Sequence, residues 1–446
     1  MTARERQATY REVFAVREYR AIFAASALSW IGDMFSKVAI SVLIFNDTDS
    51  VALAAAGFAV GYLPWVAGGP VLAALAERRS YRRVMIGCDL GRMLLVGTLA
   101  IPGLPLPVLF VLLFAAALLT PPFEAARSAL LPAVLEGDRY VVALSAQNLV
   151  NQVAQVGGYV AGGALAAVNP RGALAIDAAT FALSGLLLWR WVRPRPPALA
   201  PDRTAHLLRD TADGFRVVFS HPVRRAIALI VFAAVAFAIV PEGLAVGWAD
   251  DLGGGARTTG FLMAAGPIGV VVGAIVLGRL LAPSVRIRLI RPLAVLAPIA
   301  LVPALFEPPI ASVLVMVAIS GFATSLLIPA NGLFVQVLPK AYRARAFGVM
   351  QGGLQITHAV AVVSVGAVAD LADNVAVVIG AWCLFGTVLL VLLGAVWPSS
   401  DVIDREIEAT KIANEADMPV VAPEPASEPA PVTPTPATPS PATPRQ

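Results

Sequence analysis

Among the ionisable residues in runs apolar enough to cross a bilayer, three stand out. Asp33 and Lys37 lie near the middle of the first long run, four residues apart. A helix puts them on one face with the acid N-terminal, the favourable order for pairing. A charged group inside a membrane is expensive and marks function by default. The pair fits two roles: a self-neutralising packing element, or a carboxylate that exchanges Lys37 for a proton or a cationic substrate. Glu242 follows Pro241 in a later run and has no basic neighbour within a helical turn. Buried, it suits a proton carrier; at the rim it is an ordinary wet carboxylate.

Amides supply a second pattern. Gln147, Asn151 and Gln155 form one helical stripe with Asn148 and Gln152 beside it, and Gln351, Gln355 and His358 repeat it later. Amides donate and accept without charge, so the stripes suit a polar cavity wall or hydrogen bonds between helices. His358 fits a proton relay or a packing residue. Asp177 reads as lying just inside the end of its run, paired with Arg171 or facing water. Glu124 and Arg127 read as an interfacial pair.

The third pattern is a basic turn, Glu77-Arg78-Arg79-Ser80-Tyr81-Arg82-Arg83, followed by Asp89 and Arg92. Arginines alone would set topology. The carboxylate among them is what a topology signal does not need.

The elements that position these residues follow from composition. The 446 residues are 58% hydrophobic and only 14% charged, against about 25% charged in soluble domains. The apolar residues come in long runs, which specifies an all-α polytopic membrane protein rather than a barrel of short alternating strands. About twelve spans are expected, near 20–45, 51–76, 83–102, 106–127, 141–168, 173–192, 224–247, 258–281, 289–306, 309–333, 345–369 and 373–397. All but three of the 33 Lys and Arg, the exceptions being Lys37, Arg171 and Arg257, fall on one side of this scheme or in the tail. That asymmetry predicts both termini in the cytoplasm. Cys88 and Cys383 read as small packing residues.

The halves repeat. Pro122 and Pro132 have the spacing of Pro329 and Pro339, and Gln147, Asn151 and Gly162 that of Gln351, Gln355 and Gly366. Two pseudo-symmetric six-helix bundles are expected, 1–192 and 224–398, with a cavity between them at mid-membrane. Residues 193–223 form a connecting loop with an amphipathic surface helix. Residues 399–446 are rich in Pro, Ala, Thr, Ser and Glu and are expected to be disordered. No phosphate-binding glycine loop or metal-ligand spacing is present, so no cofactor, metal or enzymatic role is expected.

The stretch from Ala73 through Glu77-Arg78 to Arg82-Arg83 resembles the signature between spans 2 and 3 of the major facilitator superfamily, with Ala73 for the usual glycine and Glu77 for the usual aspartate. Gly32-Asp33, Pro122 to Pro132, and Ala143 to Asn148 resemble the bacterial drug and siderophore exporter branch, which includes macrolide-efflux and enterobactin-exporter relatives. The resemblance implies alternating access. Glu77, Arg78 and Arg82 would latch against Arg343 or Arg345, with Asp89 and Arg92 completing the network. The expectation is a monomeric plasma-membrane exporter of a small amphipathic molecule, coupled to protons and without nucleic-acid partners. An uncoupled facilitator or importer, and a non-transporting scaffold using the Pro-rich tail, are the alternatives.

Overall fold

The apolar runs become helices because only a helix satisfies its backbone within one segment of a bilayer. The computed structural model describes residues 8–67, 79–195, 207–372 and 374–416, and among them no strand forms. Glu77 and Arg78 lie outside the described residues. Span 1 is Arg17–Thr48 and span 2 is Val51–Val60 with Leu63–Ala67; span 3 is Tyr81–Leu99. Span 4 is Leu106–Leu118 with Thr120–Val134, span 5 Asp138–Val168 and span 6 Pro170–Trp191. Span 7 is Pro222–Ala238, Val240–Gly243 and Ala245–Asp251; span 8 is Gly255–Ile275, continued by a wider turn over Val276–Leu280. Span 9 is Ile290–Ile299, span 10 Ile310–Thr324 with Leu327–Gln336, span 11 Arg343–Ala369 and span 12 Val375–Ala395.

Eight of these are long and apolar enough to cross a membrane by themselves. Spans 2 and 9 are apolar but shorter, and spans 3 and 5 carry the charges and amides named above. Spans 4 and 10 break at matching places, just before Pro121-Pro122 and Pro329, because proline removes a backbone donor. The repeat in the sequence is thus a repeat in shape.

Span 1 packs against spans 5 and 6, and span 6 against span 3; span 8 packs against span 10, and span 12 against spans 7 and 9. The two bundles meet where span 5 crosses span 8 and span 2 crosses span 11. At the first crossing a Cβ on Gly163 would sit 2.8 Å from Gly260 Cα, so only glycine permits this approach. At the second, Asp370 accepts hydrogen bonds from Ser50 Oγ at 2.5 Å and Ala52 N at 2.9 Å. Both contacts lie at the ends away from the arginine-rich turns.

Two expectations change. Span 7 stays helical through Asp251, beyond its expected limit at 247. Trp248 is completely buried there, and Gly253 and Gly255 turn the chain with φ of 68° and 57°. The tail is not irregular from residue 399, because Ser400–Ala416 is a helix. Ile403 and Thr410 give it a buried face. Glu406 meets His221 at 3.2 Å and Arg224 at 3.9 Å, and Asn414 accepts from Lys340 N at 2.8 Å. Acidic residues on the tail helix find basic ones at the start of span 7. Truncation after Ser399 exposes the surface under Ile403, costing about 2 kcal/mol, and lowers the unfolding temperature in detergent.

The connecting segment contains a helix, Leu207–Ser220. Val218 is fully buried, and Gly214 lies so close to span 11 that a Cβ would meet Arg345 O at 2.7 Å.

Candidate functional site

A cavity of about 320 Å³ opens inside the first bundle. Spans 1, 2, 3, 4 and 6 line it, and Gln355 of span 11 is the residue that reaches in from the second half. This cavity lies within one half rather than between the two.

Asp33 and Lys37 both line this cavity, but they do not pair with each other. Asp33 meets Arg92 of span 3, Oδ2 to Nη1 3.8 Å. The guanidinium is 3% exposed and lies between the rings of Phe123 and Phe181, 4.9 Å from each centroid. A planar delocalised cation stacks on aromatic faces in a way an ammonium does not, so Arg92 takes the carboxylate. Lys37 instead lies against Phe58 and Tyr62, its Nζ 5.5 and 5.8 Å from the ring centroids. From there it is within electrostatic range of Glu242 and His358.

Asp89 and Arg92 were expected near the basic turn as parts of the gate. Both are buried within the first bundle, and Asp89 accepts from Ser184 Oγ of span 6 at 2.6 Å. Six and nine residues of helix beyond Arg83 carry them away from the turn and into the bundle. Arg82 does stay at the turn, donating to the carbonyls of Leu188 and Trp189 at the C-terminal end of span 6, where a cation complements the helix dipole. Arg83 is exposed. Of the suggested partners, Arg343 donates to Val335 O at 3.3 Å, and Arg345 meets Asp213 at 3.8 Å.

Asp177 is the residue whose role the sequence concealed. It is fully buried rather than at the rim, and Arg171 pairs with Asp47 instead, at 3.5 Å. Its carboxylate accepts from Ser36 of span 1 and from Thr180 Oγ1 at 3.2 Å, and it lines the cavity beside Asp33. Gly32 makes room for it: the Cβ of any larger residue would collide with the Asp177 carboxylate. The Gly32-Asp33 pair therefore does two jobs, one admitting Asp177 and the other supplying a carboxylate.

Glu124 and Arg127 form their pair, yet inside the bundle. Arg127 stacks 4.8 Å from the Trp30 centroid and donates to Gln147 Oε1 at 2.5 Å, while Trp30 Nε1 donates to Glu124 at 3.4 Å. Gln147 thus binds spans 4 and 5 together. Asn151 is half-buried and Gln351 exposed, so neither stripe acts as a unit. His358 packs its ring 4.9 Å from Tyr62. Glu242 sits on the short middle piece of span 7, where Pro241 interrupts the helix, and accepts from Tyr159 of span 5 across the two bundles.

The Major Facilitator Superfamily profile matches residues 22–362. No curated protein matches the sequence. Among solved structures, the nucleoside transporter NupG is similar at a TM-score of 0.72 and 13% identity, over 85% of this chain and 100% of that one. A peptide transporter POT in complex with alafosfalin is similar at 0.69 and 16% identity, over 90% and 97%. A POT family transporter in complex with 5-aminolevulinic acid gives 0.67 and 12%, over 86% and 97%. The twelve-span architecture, the paired bundles and the profile agree: this chain belongs to the Major Facilitator Superfamily and is an integral membrane transporter of that type.

Proposed function

We propose that the chain is a proton-coupled secondary transporter that exports a small amphipathic molecule across a bacterial plasma membrane, with both termini in the cytoplasm. The cavity carries this reading. Phe58, Tyr62, Trp65 and Phe181 give it an aromatic wall, while Asp33, Lys37, Arg92 and Asp177 give it charge. An apolar wall with a few convergent polar groups fits a ligand that has both characters. Of the solved structures named above, one is a nucleoside transporter and two hold alafosfalin and 5-aminolevulinic acid. Proton coupling is supported by carboxylates at mid-span that touch both the cavity and the other bundle, Asp33 in the first place and Glu242 in the second. Glu77 and Arg78 keep the gate role that their resemblance implies, as does Arg82 at the end of span 6. Residues 1–192 and 224–398 move against each other in this proposal, as a monomer.

Efflux from everted vesicles across a substrate panel tests it. Asp33→Asn is expected to insert normally and to reduce efflux to background, since the variant keeps shape but loses the exchangeable charge. Wild-type efflux by that variant removes Asp33 from the coupling scheme. Efflux that persists when an ionophore collapses the proton gradient favours an uncoupled facilitator.

A further inference from the structure

The first bundle encloses more negative than positive groups. Spans 1, 3 and 6 bring Asp33, Asp89 and Asp177 together with Arg92, and Lys37 is the other cation at the cavity. A buried cluster with an excess carboxylate neutralises itself by binding a proton rather than carrying a bare charge. Which carboxylate takes it follows from their partners. Asp33 has Arg92 at 3.8 Å. Asp89 has the Ser184 hydroxyl and shares its helix with Arg92 one turn on, and it is not among the residues lining the cavity. Asp177 has no exposure, and among the described residues no cationic nitrogen comes within ion-pair distance of it. Hydroxyls from Ser36 and Thr180 hold it, and it borders the cavity, where a proton can come and go.

We infer that Asp177 is the site of the exchangeable proton, with Asp33 kept as the ionised partner of Arg92. The charged groups acting on it are Asp33 from span 1 and Arg92 from span 3, with Lys37 of span 1 on the same cavity wall and Asp89 one turn before Arg92; span 5, also packed on span 6, adds none among the described residues. Release of the proton puts a second carboxylate charge beside Asp33, and Arg92 is the guanidinium placed to answer both. Spans 1, 3 and 6 then rearrange together, which links protonation to the shape of the cavity. The transport consequence rests on the proton-coupled reading above; the proton site itself does not.

Infrared difference spectroscopy of the purified full-length transporter, titrated with acid and base alone, reads protonated carboxylic acids directly through their C=O stretch. The wild type is expected to show such a band at neutral pH and Asp177→Asn to lose it. Ser36→Ala removes a hydrogen-bond partner and is expected to shift the band's frequency without abolishing it, a readout available if the asparagine variant folds poorly. A band that survives Asp177→Asn, or is untouched by Ser36→Ala, overturns the assignment. A band lost as expected, in a protein whose wild-type efflux ignores the proton gradient, supports the site and overturns the coupling reading instead.

Discussion

Arg92→Met is expected to remove most of the folded transporter, and Asp33→Asn in the same chain to restore much of it. Arg92 is buried between two phenylalanine rings with Asp33 as its ion-pair partner, and Asp89 and Asp177 lie in the same cluster. Removing one member of a buried pair leaves the other charge unanswered, at a cost of about 3–5 kcal/mol. That is a large part of the roughly 5–15 kcal/mol that holds a typical domain together. Methionine keeps the length and much of the apolar contact with Phe123 and Phe181, so the loss reports charge more than volume. Neutralising Asp33 as well replaces an orphaned ion by a neutral pair, and such replacements are often close to neutral in stability. Thermal unfolding in detergent of the two single variants and the double variant closes the cycle. Strongly compensating effects are expected, with transport absent in all three. Additive losses would mean that Arg92 matters as a filler between the rings and that its link to Asp33 is incidental.

Local rules made part of this site legible. Asp33, Lys37 and Glu242 stand out because an ionisable residue in an apolar run is rare whatever the fold. The paired bundles were legible because Pro122 and Pro329 break spans 4 and 10 in the same way. The Asp33–Lys37 pairing failed for a reason that spacing does not contain. A four-residue offset permits a pair, but span 3 brings an arginine whose flat face fits between Phe123 and Phe181, and span 2 offers Lys37 an aromatic corner. Asp177 was hidden because distance from the end of a run is a poor measure of burial. Its depth comes from Gly32, which lets span 6 lie directly on span 1. Arg92 was counted with the arginines of the turn, although a few residues of helix carry it into the bundle. The tail helix was masked by the proline-rich composition that follows it; the stretch from Ser400 to Ala416 contains no proline.

Gly260→Val is expected to shift the transporter away from the conformation seen here. A Cβ on Gly260 would lie 2.6 Å from Tyr159 O and 2.8 Å from Gly163 Cα, and both are backbone atoms that no rotamer change can move. Ordinary contact between such atoms is about 3.5–4.0 Å, so spans 5 and 8 must part by about 1 Å at this crossing. The cost falls on one conformation only, because a state in which these ends separate has no collision to relieve. Tyr159 also donates to Glu242, so the same displacement pulls on the hydrogen bond between the bundles. Overpacking of this kind costs about 1–3 kcal/mol, which shifts a two-state equilibrium by about 5- to 150-fold. Both native cysteines are buried, so spin labels can be directed to cysteines introduced at the exposed positions Val168 and Arg257, at the ends of the two spans. The wild type is expected to give a short, narrow distance distribution, and Gly260→Val a longer one with slowed transport. Gly260→Ala should fall between them, since its single methyl already meets the Tyr159 carbonyl but adds no branch. A folded Gly260→Val protein with an unchanged distribution would show that the crossing of spans 5 and 8 yields without opening, and would locate the resistance to opening at Asp370 and Ser50 instead.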